Sequence, residues 1–186
     1  MRIAVLMGGI SEEREVSLAS GVQVARALRE GGHNVVAVDT GRGVLEIEDE
    51  EEILKGGVGD PGTHDRETDL LSTGDLGVLR KDPRFLSAEV LFLALHGGRG
   101  EDGTVQALLQ LAGLPFVGSD RVGCALAMDK DLSKRLLRDE EIRTPDWLTV
   151  EGEEEGREVL GLVVERLGLP VIVKPPSGGS TLGLTL

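Results

Sequence analysis

Five consecutive apolar residues, Ile3-Ala4-Val5-Leu6-Met7, stop abruptly at Gly8-Gly9. The run has the length of a strand but lacks the polar alternation of a half-exposed one, so it predicts a strand buried on both faces. Val16, Ala19, Val22, Ala25 and Leu28 then recur at helical spacing as far as Gly31-Gly32, and NVVAVD, residues 34–39, reads as a second strand. Strand, helix and strand with short connections assemble as a right-handed βαβ unit. The expected fold class is α/β, with a Rossmann-like parallel sheet.

Between Thr40 and Leu86 the periodicity is lost to acids, glycines, Pro61 and Pro83, and this stretch is expected to be an excursion with one short helix and a small hairpin. The pattern returns with EVLFLAL, residues 89–95, as a central strand. A loop, HGGRGEDG, follows, and then a helix carrying Val105, Leu108, Leu109 and Ala112 on one face. Residues 115–118 give a fourth strand, and 120–138 read as mostly helical. After Pro145, WLTV, a helix over 158–167 and PVIVK predict strand, helix and strand of a second domain. The boundary is placed near Thr144, giving domains 1–144 and 145–186. The second would end inside an apolar alternation with an edge and a face unburied, so the sequence reads as the front part of a longer protein.

A formal net charge of −13 argues against nucleic acid as a partner, because a polyanion is bound through basic stripes that release counterions. No apolar stretch approaches the roughly 20 residues that span a bilayer, and the apolar start is too short for a signal-peptide core. A cytoplasmic protein without membrane contact is expected. The acidic blocks at 46–52 and 151–155 read as solvated loops or helix starts. The single cysteine, Cys124, lies in an apolar run and reads as a buried, inert thiol.

Three stretches carry chemistry. The first, GGISEEREVS (residues 8–17), lies between the first strand and the first helix, where open α/β sheets bind ligands. Ser11 can cap that helix, with Glu12, Glu13 and Glu15 in its first turn. Three acids there would repel a phosphate and suit a substrate ammonium. The second, residues 98–103, matches G-x-G-x-x-G, and Asp120 follows at the distance of a ribose-binding acid. Glu101 and Asp102, however, occupy the place of a pyrophosphate. The other reading is that the glycines let His96 and the loop backbone approach a small substrate, while Glu101 and Asp102 cap the next helix. The third, VIVKPPSGGSTLG (residues 171–183), joins Lys174 to a glycine- and hydroxyl-rich loop suited to closing over polyphosphate. A plain hairpin is the simpler alternative. Lys130 is a second candidate cation for phosphate.

Taken together, these stretches resemble the D-alanine–D-alanine ligases of the ATP-grasp superfamily. GGISEEREVS is similar to that family's GG-x-S-x-E-x-x-V-S pattern and LHGGRGEDGTVQ to its LHG-x-x-GEDG stretch. AMDKDLSK and VKPPSGGSTLG are similar to its two lysine segments. The resemblance implies a pre-ATP-grasp N-terminal domain, the beginning of an ATP-grasp domain, and an ATP-dependent ligase that joins two D-alanines through an acyl phosphate for peptidoglycan precursors. It implies that Glu13 holds the ammonium of the first D-alanine, Val16 contacts its side, and His96 lies beside its carboxylate. Ser180 would bond in the same site and tie the closing loop to Glu13. Lys130 and Lys174 would hold ATP phosphates, with Gly179, Ser180 and Thr181 closing over them. It implies Mg2+ whose ligands lie outside this sequence, with no metal site in this chain, and a homodimer. The family's second serine is Thr181 here. With later family elements missing, the chain is expected to be inactive alone. A D-alanine–D-lactate ligase, a non-catalytic nucleotide-binding module and a dimerisation fragment stand as alternatives.

Overall fold

A computed structural model describes residues 1–56, 79, 82–150, 156–179 and 183–186. Within these, the chain divides into two compact units, Met1–Ala125 and Leu126–Leu186.

The first unit is built on a five-stranded sheet. Strand β1 is Arg2–Met7, helix α1 Arg14–Glu30, β2 Asn34–Asp39, β3 Gly43–Val44 and α2 Ile47–Gly56. A short helix α3, Pro83–Leu86, leads to β4, Val90–Leu93. Helix α4, Thr104–Leu111, β5, Phe116–Val117, and α5, Arg121–Met128, follow. The strand order is β3-β2-β1-β4-β5, with β3 antiparallel and the rest parallel. The apolar run therefore lies at the centre, flanked by β2 and β4. Both of its faces are buried, as its lack of polar alternation predicted. Ile3, Val5 and Met7 pack with Leu18, Val22 and Ala25 of α1. Ala4 and Leu6 pack on the other face with Phe85, Val105 and Leu109. Helix α1 approaches β1 so closely that a Cβ on Gly21 would lie 2.6 Å from Met7 Cβ. The excursion after β2 contains the expected antiparallel partner, β3, and a helix, α2, in the acidic block; residues 57–78 lie outside the described residues.

In the second unit, α6 spans Lys130–Asp139 and α7 Gly156–Arg166. The helical stretch predicted over 120–138 is broken at Asp129, which accepts a bond from Leu132 N (2.9 Å) and so caps a new helix. The strand expected in WLTV is not formed, although Leu148 and Val150 alternate like one, because no strand pairs with it among the described residues. Trp147 Nε1 and Thr149 Oγ1 instead bond Asp131 Oδ1 at 2.7 and 2.9 Å. PVIVK reduces to a single antiparallel bridge, Val173 with Thr185. The division into units falls ahead of the Thr144 boundary read from Pro145. Lys134 Nζ donates to Pro145 O at 2.7 Å, so α6 is tied to the segment after that proline. The acidic block 151–155 lies outside the described residues. Cys124 is half-buried rather than buried; partial burial and the nearby Asp120, Glu101 and Asp102 carboxylates push its thiol up, which keeps it protonated and unreactive.

Candidate functional site

Strands β1 and β4 are neighbours in the sheet but far apart in sequence, and their carboxyl ends carry two of the three stretches singled out above. This is the position at which open α/β sheets form a crevice. Residues 8–11 form one wall and 95–99 the other, around about 140 Å³ of space. Sites for drug-sized ligands run to roughly 300–1,000 Å³, so the crevice suits a small molecule and not a dinucleotide.

Hydroxyl groups from the first stretch hold the second. Ser17 is fully buried; its Oγ accepts from Gly8 N (2.9 Å) and donates to Ala94 O (2.6 Å). One hydroxyl thus links the ends of β1 and β4 just beyond the last paired residues, Leu6 and Leu93. Ser11 does not cap α1 as expected. Its Oγ donates across the crevice to His96 O (2.5 Å) and accepts from Glu13 N (3.2 Å). Helix α1 begins at Arg14, with Glu13 at the N-cap position and without a side-chain cap; of the three acids, only Glu15 lies in its first turn. Ser20 Oγ lies 3.0 Å from His96 Nε2.

The glycine loop is closed upon itself. Gly100 N bonds Gly97 O (3.2 Å), and Glu101 N and Asp102 N bond Gly98 O at 3.1 and 3.0 Å. Gln106, buried, donates to Gly100 O (2.9 Å). Three amides of the span against which a pyrophosphate would lie, those of Gly100, Glu101 and Asp102, are committed within the turn, and Asp120 accepts from Val122 N and Gly123 N as the cap of α5. The dinucleotide reading fails on both counts. Asp102 supports the start of α4 by accepting from Thr104 N (2.9 Å). Gly97 has φ +68, and a Cβ there would lie 2.6 Å from Glu13 Oε2. The structure therefore brings the Glu13 carboxylate against the backbone of Gly97, which lines the crevice together with His96, while Glu13 itself is not part of the lining. Val16 follows on the first turn of α1, 40% exposed.

Behind Glu13 lies a feature that the sequence reading missed. Arg14 and Asp39 form a buried bidentate ion pair, Nη1–Oδ1 3.0 Å and Nη2–Oδ2 2.5 Å. Arg14 Nη1 also donates to Gly9 O (3.2 Å), and Asp39 Oδ1 accepts from Gly41 N (2.9 Å). The signal available was a charged residue closing the apolar strand NVVAVD, since a carboxylate in such a place needs a cation.

In the second unit, Lys130 opens α6 and its Nζ donates to Gly178 O (2.7 Å), while Lys130 N bonds Pro176 O (2.9 Å). The ammonium rests on the glycine loop with further donor capacity left. Lys174 is exposed beside the Val173–Thr185 bridge, and Gly179 is half-buried. Ser180 and Thr181 lie outside the described residues. Among the described residues no group of three or more His, Cys, Asp or Glu could hold a metal ion, and no helix is long and apolar enough to cross a membrane.

Comparison with known proteins places this geometry in a family. A D-alanine–D-alanine ligase from Verminephrobacter eiseniae is 40% identical over 185 residues, 99% of this chain and 44% of its own length. The solved D-alanine–D-alanine ligase from Coxiella burnetii superposes with TM-score 0.74 at 29% identity, over 98% of this chain and 55% of its own. The VanG D-Ala:D-Ser ligase from Enterococcus faecalis gives 0.69 at 29% identity, over 98% and 54%. The chain spans about half the length of the curated relatives it matches. The family model described as "D-ala D-ala ligase N-terminus" matches residues 2–119, and the chain belongs to that family.

Proposed function

We propose that this chain is the N-terminal half of an ATP-dependent ligase that joins two D-alanines for peptidoglycan precursors. The observation that carries the reading is the placement of the Glu13 carboxylate against the backbone of Gly97, a residue that lines a crevice of about 140 Å³. A carboxylate beside a tight backbone turn suits an ammonium, and the reacting carboxylate would then lie toward His96. Val16 would flank the substrate side chain, and Ser180 would close the network with Glu13. Lys130 and Lys174, with Gly179, Ser180 and Thr181, would hold the phosphates of ATP. The Lys130 ammonium on the Gly178 carbonyl fits that role, because a fixed cation neutralises charge on a transferring phosphoryl group. ATP supplies the phosphoryl group that activates the first carboxylate; this chain's residues bind, orient and neutralise. Mg2+ ligands are assigned to the part of the ligase beyond this sequence. The resemblance further supports a cytoplasmic homodimer, which sedimentation of the purified chain tests.

The neighbour acting on D-serine keeps a second reading open for the attacking substrate, D-serine or D-lactate, because the residues assigned here handle the first D-alanine. The test is phosphate release from Mg-ATP with D-alanine, L-alanine or neither. It is run on residues 1–186 and on a fusion of them to the C-terminal portion of the V. eiseniae relative. D-alanine-dependent release by the fusion, with none from 1–186, is expected. Release by a folded fusion that ignores D-alanine would overturn the reading.

A further inference from the structure

We infer that Ser20 is the positioning residue of His96, holding the neutral imidazole with its proton on Nε2 and leaving Nδ1 as an open acceptor at the crevice. The inference rests on the reading of this crevice as the D-alanine site and gives a role to a residue that the proposed reaction does not use.

One hydroxyl proton decides the arrangement. Ser20 Oγ donates to Ser17 O, three residues back in α1, at 3.2 Å, a local bond that helical serines commonly make. The same Oγ lies 3.0 Å from His96 Nε2. A hydroxyl has a single hydrogen, so with that hydrogen on the Ser17 carbonyl the oxygen accepts from the ring. Nε2 therefore carries the ring proton, and in the neutral imidazole Nδ1 keeps a lone pair. Among the described residues Nδ1 has no partner.

The main chain of the same loop is fixed independently. His96 O accepts from Ser11 Oγ and Ala94 O from Ser17 Oγ, so the ring hangs from an anchored backbone and is oriented by one further bond. Three hydroxyls within residues 11–20 thus set the loop position and the ring. An imidazole held in this way keeps one orientation on the loop, and its Nδ1 lone pair can take a hydrogen bond from a donor at the crevice, such as a water beside the substrate carboxylate.

The test is nitrogen-15 spectroscopy of the 186-residue chain at about pH 9, where ordinary imidazoles are neutral. The signals of His96 are identified by their loss in His96→Gln. We expect the ring proton on Nε2, protected from exchange, and the two ring nitrogens at well-separated shifts. Ser20→Ala should lose the protected proton and move the two shifts towards each other; Ser20→Thr, which keeps the hydroxyl, should restore both. A ring proton on Nδ1 in the unmodified chain, or a spectrum unchanged by Ser20→Ala, would overturn the role of Ser20. Adding D-alanine to the ligase fusion, with its His96 signals identified in the same way, separates this role from the reading beneath it. Movement of the His96 signals supports the D-alanine site, whereas no movement with the Nε2 proton intact overturns the D-alanine reading and leaves Ser20 as the orienting group.

Discussion

The Glu13 carboxylate stands over Gly97 with no room for a side chain between them: a Cβ would meet Oε2 at 2.6 Å. Gly97→Ala would also place an L residue at φ +68, ψ 171, a conformation essentially confined to glycine, costing roughly 1–3 kcal/mol. The substitution should displace Glu13 and lower kcat/KM for D-alanine in the ligase fusion by on the order of ten-fold, equivalent to about 1.4 kcal/mol. Unchanged kcat/KM would separate Glu13 from the site.

Glu13→Gln keeps the size of the side chain and removes its charge. D-alanine use should weaken by at least about ten-fold while ATP binding stays within about two-fold, because the proposed role sets that carboxylate against the ammonium alone. Steady-state kinetics with each substrate varied in turn distinguish this from an equal loss of both.

The Arg14–Asp39 pair predicts a thermodynamic asymmetry. Removing one partner leaves a buried charge uncompensated, so Asp39→Leu or Arg14→Met should each cost about 3–5 kcal/mol, whereas the two combined should cost less than the sum. Urea unfolding of the chain and its three variants measures the cycle. Additive losses would show that the two residues act separately.

Trp147, the single tryptophan, reports on acid behaviour in the second unit. Its indole N–H, then Thr149 and then Arg135, hold the Asp131 carboxyl below the ordinary value. A depressed folded value gives stability that is present above the unfolded value, about 3.9, and lost as pH falls through the folded one. Tryptophan fluorescence should therefore hold steady down to about pH 4 and change below it. Asp131→Asn, which keeps an acceptor for the indole, should abolish that change.

The central sheet was legible because its signal is local: an apolar run with no polar alternation declares two buried faces, and β1, β2 and β4 followed from such runs, with α1 from helical spacing. WLTV failed because alternation promises a strand only where a partner exists, and Asp131 claims Trp147 and Thr149 first. The site was legible as motifs. Glu13 and His96 follow from spacing and resemblance, and the structure sets both beside Gly97. What the sequence concealed is how the crevice is held. Ser11, Ser17 and Ser20 look like ordinary helix-start residues, yet each bonds to a residue that lies more than seventy positions away. Arg14 likewise sits inconspicuously among glutamates until Asp39 is seen beside it.

The pairing of β1 with β4 has a consequence for how such a chain tolerates change. Two loops that leave adjacent strands stay side by side whatever length of polypeptide runs between them. Doubling a flexible connection costs only about 0.6 kcal/mol in closure entropy. Residues gained or lost on this connection outside β3, α2 and the core residues Leu45, Leu79 and Phe85 would alter the detour and spare the destination, so the connection can drift in length while the crevice keeps its dimensions.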